Sequence, residues 1–319
     1  MSRSVVWDNH ACLPLQETAR FLPQLERYRA AGVNAVTINI GDSVCPLETL
    51  IQMAARIRSF VKAHPEKFLL GLTVSDLRDA RASGRLAVCF DVEGVHALGE
   101  ELALVELLHD VGVRWMLLVY NRRNLAGSGC HDAEDDGLTQ LGRQLLAEMD
   151  RVGIIKCCSH TGYSTAREIL ETSRKPVIFS HSNPRALHDH PRNIPDDLIK
   201  RCAATGGVVG INGVGLFLGA SGASAALIVR HIDYVAQLVG AEHVGLGLDY
   251  VFDPGDGAWL TQSDIWPREW GYGTSNSYAA PEVIPEIIES LQKLGYGEAD
   301  IDGILGENLL RVAAQVWRP

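Results

Sequence analysis

Apolar residues in this chain fall mainly in short continuous runs, not in long stretches of strict alternation. Eight such runs stand out: 5–12 (VVWDNHAC), 33–40 (VNAVTINI), 85–94 (RLAVCFDVEG), 113–121 (VRWMLLVYN), 153–160 (GIIKCCSH), 176–183 (PVIFSHSN), 206–213 (GGVVGING) and 243–251 (HVGLGLDYV). Runs of this length, rich in Val and Ile, suit strands covered on both faces, as in a parallel sheet. Nearly all are separated by segments with helical spacing, among them LETLIQMAARIRSFVKAH, GLTQLGRQLLAEMDRVG and SAALIVRHIDYVAQLVG. Gly32, Gly112, Gly153, Gly206, Gly240 and Gly295 stand where helices should end, the position that favours a left-handed backbone. A short run at 68–74 (FLLGLTV) is a spare strand or turn inside the second crossover, and a last helix from about Ala299 to Val316 is expected to close the structure.

Strands alternating with helices give a mostly parallel sheet with right-handed crossovers. Eight units favour a closed (β/α)8 TIM-type barrel, and residues 1–319 are expected to form a single domain of that kind. An open doubly wound sheet should carry a Gly-rich phosphate loop after its first strand, and NHACLPL is not one. The Gly- and Trp-rich segment 253–276 is too long for a tight connection. It is expected as a loop over the site or, around 259–270, as a subunit contact.

The chemistry should gather at the carboxyl ends of the strands, the active face of such a barrel. Two neighbouring strands there end alike, in KCCSH and IFSH, with one helical crossover between them. Neighbouring strands lie about 4.8 Å apart, so His160 and His181 can converge as metal ligands or as an acid/base pair. The other strand tips offer His10 and Cys12, Asp91 and Glu93, Tyr120 and Asn121, Asn212, and Asp249. His10 and Cys12, two apart on one strand, share a face and could chelate one ion. Three imidazoles, carboxylates and a thiol on one rim suit Zn²⁺, as one ion or two. Arg192, just beyond the sixth strand, could fork onto a substrate carboxylate. His96 is a candidate supporting donor, whereas His64, His109 and His231 fall in helical segments and His188 and His190 lack ligand spacing.

Composition narrows the field. The formal net charge of −10 argues against a nucleic-acid partner. Seven scattered cysteines fit free thiols in a reducing compartment. No run approaches a membrane span, and the opening MSRSVVWDNHACLP lacks the apolar core of an export signal, so a cytoplasmic location without membrane association is expected.

Taken together, NHACLP, DVEGVHAL, VYNRRNLAGSGCHDAEDDGLTQLGR, SHTG, PVIFSHSNPRALHDHPRNIPDD, HVGLGLDY and GYGEADIDGILGENLLRV resemble the membrane (renal) dipeptidase family of metallopeptidases, on the amidohydrolase-type barrel. The likeness covers nearly the whole chain, and the bacterial branch carries a similar YNRRN stretch. The resemblance implies a two-zinc dipeptidase, usually a homodimer, that tolerates a D-residue at the carboxyl-terminal position. Glu93 would bridge the metals, His160 and His181 would hold one ion, and His10 with the residue two positions on would hold the other. Asp249 would move the proton, Arg192 would grip the dipeptide carboxylate, and Tyr120 would contact the substrate. Three positions depart from the family pattern: Cys12 stands where the family has Asp, Cys157 where an Asp is usual, and Asn121 where many members place a His. Asn121 could still donate to an oxyanion. The alternatives are a related metal amidohydrolase acting on N-acyl amino acids or small amides, and a non-catalytic relative disabled at position 12.

Overall fold

The computed structural model describes residues 4–14, 18–220, 222–252, 264–273 and 276–318. In it the apolar runs become parallel strands: β1 (Trp7–Cys12), β2 (Ala35–Asp42), β3 (Phe68–Leu70), β4 (Leu86–Glu93), β5 (Val113–Leu117), β6 (Ile155–Cys157), β7 (Val177–Phe179), β8 (Val208–Ile211), β9 (Val244–Leu246) and β10 (Tyr250–Val251). Eight of them pair in the order β1-β2-β4-β5-β6-β7-β8-β9, and the pairing of Asp8 with Leu246 returns β9 to β1. The ring is therefore closed, and the expected TIM-type (β/α)8 barrel is what forms, with helices between the strands. The six glycines named above all have positive φ.

The run at 68–74 does supply an extra strand. β3 pairs with Leu86–Val88 of β4, and β5 pairs with Phe90–Glu93, so the two neighbours divide one edge of β4 between them. The last apolar run is split: backbone pairing breaks between β9 and β10, and Asp249 falls in the gap. Strands β6 and β7 are also shorter than their apolar runs, which leaves His160 and His181 just past the strand ends.

The expected closing helix is not continuous. It comprises a helix at Glu298–Asp302, a wider turn at Gly303–Glu307 and a helix at Asn308–Val316, with the break at Gly306. The cause is close packing: a Cβ on Gly306 would lie 2.3 Å from the Val5 carbonyl oxygen and 3.0 Å from the Trp7 amide nitrogen. The break lets the final helix pack Leu309, Val312, Ala313 and Val316 into one apolar cluster with Trp7, Ala35, Ala87 and Trp115. Trp7 and Trp317 meet edge to face at 5.7 Å. Gly306→Ala is expected to destabilise the protein by roughly 1–3 kcal/mol, since the neighbour is backbone and cannot yield as a side chain would. Urea unfolding checks this, and an unchanged midpoint would contradict the account.

Two irregularities aim side chains at the carboxyl end. Asp8 to Ala11 of β1 runs opposite only Val36 to Ile38 of β2, three steps against two. This bulge reverses the alternation, so Trp7 and His10 can both face the interior although they are three positions apart. A second bulge, between Asn39 and Asp42 of β2, does the same for Asp42. Among the described residues, no helix is long and apolar enough to cross a membrane.

Candidate active site

All eight barrel strands send a polar side chain to one end of the barrel. Glu93, on the last residue of β4, is central. Its Oε1 lies 3.1 Å from His181 Nε2, 3.3 Å from His160 Nε2 and 3.7 Å from His10 Nε2. The His160 and His181 Nε2 atoms are 2.9 Å apart, and the His10 and His181 rings stack at 4.0 Å. Cys12 Sγ is 3.5 Å from His10 Nε2 and 3.7 Å from Asp249 Oδ1, and that carboxylate oxygen is 3.4 Å from His10 Nε2. Three overlapping groups could each hold a metal ion: Glu93, His160 and His181; His10, Cys12 and Glu93; and His10, His181 and Asp249. The strand-end histidines thus meet where the sequence puts them.

Each imidazole is fixed from behind. His10 Nδ1 is 3.1 Å from Asp91 Oδ2, and Asp91 in turn accepts from Asn39 Nδ2 at 2.9 Å. His160 Nδ1 donates to Asn121 Oδ1 at 2.7 Å, and His181 Nδ1 lies 2.7 Å from Ser180 Oγ. Trp115 sits beside both His10 and His181, with ring centroids 5.5 and 6.2 Å away. Imidazoles held by a partner on the far nitrogen are what metal ligation calls for, because the tautomer and the ring orientation are then set in advance.

The backbone is strained at three of these points. Asn121, His160 and Asp249 have φ values of 59°, 65° and 57°, and they are the non-glycine residues with positive φ among those described. Each costs of order 1–3 kcal/mol, which surrounding hydrogen bonds must offset. His131 N donates to Asn121 O at 2.9 Å, Cys130 N to His160 O at 2.9 Å, and Asp249 N to His10 O at 3.0 Å. The left-handed turn swings each side chain back over the barrel mouth once its strand has ended.

The protonation states fit a cation. Burial lowers His160 and His181 well below the usual imidazole value, and Arg192 and the neighbouring imidazoles add to the effect. Both rings are therefore neutral. With the His160 proton held on Nδ1 by Asn121, its Nε2 presents a lone pair. Burial also pulls His10 down, but Asp91 and Glu93 outweigh it and hold that ring well above its usual value. Burial pushes the Glu93 carboxyl up to about 8 and the Cys12 thiol up to about 12. Among the described residues, Glu93 Oε1 is buried and accepts no hydrogen bond. A buried carboxylate oxygen that accepts no hydrogen bond is costly unless a positive ion sits beside it. The donor set fits a divalent metal ion of the N/O/S-seeking kind.

A cavity of about 440 Å³ opens onto this cluster. Cys12, Glu93, His160 and Asp249 form its polar floor, and Leu13, Val214, Phe217, Val251, Trp266, Tyr272 and Tyr278 make much of its wall apolar or aromatic. Tyr120 lines it too, stacked on His160 at 4.1 Å with its hydroxyl accepting from Trp266 Nε1. Asp249 reaches in by Oδ1, while Asn212 Nδ2 holds Oδ2 at 2.9 Å. Much of the expected loop 253–276, including 259–263 of the expected subunit contact, lies outside the described residues; of the rest, Trp266, Tyr272 and Asn276 line the cavity.

Two candidates sit differently from the expectation. Asn121 is fully buried behind His160 and does not line the cavity, because its side-chain oxygen serves His160. Arg192 is not a solvated mouth arginine. It is 2% exposed, donating from Nη1 to Ser182 Oγ at 2.9 Å and from Nη2 to His181 O at 2.7 Å. It lines a second cavity of about 360 Å³ that shares His160 with the first. Cys157, where an Asp is usual, is buried against Ser180 Oγ at 3.0 Å. Asn39 and Asp42 of β2 also line the main cavity. The sequence signal for them was the polar tail NIGD on an otherwise apolar strand.

A family model described as membrane dipeptidase, peptidase family M19, matches residues 46–318. This chain belongs to that family. The match begins beyond β2, so the His10 and Cys12 strand lies outside it. The chain is 30% identical over 272 residues to dipeptidase verJ of Clonostachys rogersoniana, covering 85% of this chain and 66% of that protein. It spans 59% of dipeptidase aclJ of Aspergillus oryzae, also at 30% identity over 82% of this chain. The chain therefore spans somewhat under two thirds of the length of these curated relatives. Among solved structures, an amidohydrolase from Pseudomonas aeruginosa superposes with a TM-score of 0.90 at 27% identity, with 98% of this chain and 97% of that one covered. A metallopeptidase from Rhodobacter sphaeroides, liganded with a phosphinate mimic of L-Ala-D-Ala, shares the fold at a TM-score of 0.79 and 22% identity.

Proposed function

We propose that this M19-family chain is a zinc-dependent dipeptidase that accepts a D-residue at the carboxyl-terminal position. The observation that carries the reading is the Glu93 oxygen, buried and unpaired among three imidazole nitrogens. Glu93, His160 and His181 would hold one ion, and His10 and Asp249 would face a second. When bound, zinc supplies Lewis acidity toward the peptide carbonyl and a nucleophile at neutral pH.

The chain's own residues do the remaining work. Asp249 faces the reacting group with Oδ1 and is fixed by Asn212 through Oδ2. It takes a proton from the attacking water and returns it to the leaving amine. Asn121 keeps His160 in the tautomer whose Nε2 faces Glu93. Arg192, two of whose five N–H groups are engaged, can still donate to the terminal carboxylate of a dipeptide lying between the two cavities. The aromatic and aliphatic wall of the larger cavity suits an apolar amino-terminal side chain and excludes water from the scissile bond.

A second reading, hydrolysis of N-acyl amino acids or small amides, draws on the likeness to the Pseudomonas amidohydrolase. One substrate panel separates the two. L-Ala-D-Ala and L,L-dipeptides are expected to be cleaved, with N-acetyl amino acids at least about a hundredfold poorer in kcat/KM, since the acetyl group leaves the apolar wall of the larger cavity unfilled. Turnover of the acyl substrates alone would favour the second reading. A homodimer, suggested by the family resemblance, and a cytoplasmic setting, expected from the sequence, belong to the same proposal and are open to light scattering and cell fractionation.

A further inference from the structure

The family resemblance puts a metal-holding carboxylate at position 12, where this chain has Cys12. Its sulfur nonetheless occupies a defined place. Cys12 Sγ, His10 Nε2 and Asp249 Oδ1 form a triangle with edges of 3.5, 3.7 and 3.4 Å. For one zinc ion with Zn–S near 2.3 Å, Zn–N near 2.05 Å and Zn–O near 2.1 Å, tetrahedral angles put the ligand–ligand edges at about 3.4–3.6 Å. The observed triangle matches that face of a tetrahedron with the longer bond assigned to sulfur. Glu93 Oε1, 3.7 Å from His10 Nε2, lies on the open side and is the buried oxygen that accepts no hydrogen bond among the described residues.

The neighbours supply the rest of a ligand's requirements. The bulge in β1 turns His10 and Cys12 together toward the barrel mouth. Asp91 holds the far nitrogen of His10, and Asn212 holds the far oxygen of Asp249. Cys12 itself lines the main cavity, so an arriving ion reaches the sulfur directly. Cys45, Cys89, Cys157, Cys158 and Cys202 are buried, and none of them or of Cys130 falls in a metal-compatible group among the described residues.

We infer that Cys12 is a thiolate ligand, and that with His10, Asp249 and Glu93 it makes the second subsite selective for thiophilic divalent ions. The proton of the thiol leaves to solvent as the sulfur–metal bond forms, and no electrons are transferred. This rests on the metallopeptidase reading above and adds an asymmetry to it. The Glu93–His160–His181 subsite is built from nitrogen and oxygen, whereas the His10–Cys12 subsite prefers Zn²⁺ or Cd²⁺ over Mn²⁺ or Mg²⁺.

The test uses the purified holoprotein exchanged with Cd²⁺, with near-ultraviolet absorbance and bound-metal analysis recorded together. The wild type should show a sulfur-to-cadmium charge-transfer band that saturates at one thiolate per chain. Cys12→Ser should lose the band and weaken one of the ions by at least the roughly 10–100-fold that loss of even an outer-shell partner costs. Cys12→Asp should lose the band, keep the ion and shift preference toward Mn²⁺. Far-ultraviolet circular dichroism confirms that each variant folds, and the Asp variant carries the test if the Ser variant does not. Cadmium bound with no band, or with a band that survives in both variants, overturns the thiolate assignment and leaves the dipeptidase reading standing. A wild-type protein that retains neither zinc nor cadmium overturns both.

Discussion

Replacing Glu93 with Gln is expected to strip the site of its metal and lower kcat/KM by on the order of 10³-fold or more, the several kcal/mol of charge stabilisation that a Lewis-acidic ion supplies. The change is nearly isosteric, so the fold should survive it. The electrostatics should not. Oε1 is the point on which three imidazole nitrogens converge. An amide there brings either an N–H or a neutral oxygen, and neither can share charge with two cations. Chelation of the wild type should have a matching effect that zinc reverses, whereas zinc should not rescue Glu93→Gln. Metal content per chain, measured alongside turnover of a dipeptide, decides the matter. A variant that keeps a full complement of metal and activity within tenfold of wild type would remove the basis of the proposed centre.

Asp249→Asn should separate proton transfer from holding of the ion at Glu93, His160 and His181. We expect kcat to fall by roughly 10²–10⁴-fold, the usual contribution of a positioned acid/base group, with KM changed little. The ion at Glu93, His160 and His181 should remain, because Asp249 belongs to none of that set. The contact with Asn212 can persist through the retained side-chain oxygen, so the left-handed turn at φ 57° is kept, in a residue type that tolerates it. A variant with near-normal kcat would exclude Asp249 as the proton carrier.

Much of this arrangement was legible in the chain itself. The two Ser-His endings reported a shared geometry because parallel strands with equal crossovers place equivalent positions side by side, and His160 and His181 do meet at 2.9 Å. The family motifs were equally direct, and the match to residues 46–318 agrees with them. What could not be seen depended on departures from regular backbone. Counting by twos along β1 puts His10 and Cys12 on one face but hides the bulge that turns that face inward. Nothing in VYNRRN announces that Asn121 will fold back behind His160, since its left-handed turn is held by the amide of His131, ten residues further on. Arg192 looked like a loop arginine because sequence shows polarity and not burial, and its two anchors, Ser182 and the His181 carbonyl, lie ten or more residues back. The single closing helix failed at Gly306 for a related reason: local propensity allowed a continuous helix, but the approach to Val5 and Trp7 did not.

The ring of strands closes where β1 meets both pieces of the last apolar run, with Ala11 opposite Tyr250 and Cys12 opposite Val251 of β10. Between β1 and β9 the register holds a single pair, Asp8 with Leu246. Above it, the two ends of the barrel are laced by Leu248 N on the Asp8 carboxylate, Asp249 N on the His10 carbonyl and Phe252 N on the Cys12 carbonyl. The same residues that tie this seam also carry the side chains facing the ion. Barrel closure and assembly of the second subsite are therefore one event: a chain whose first and last strands have not met keeps Asp249 apart from His10 and Cys12.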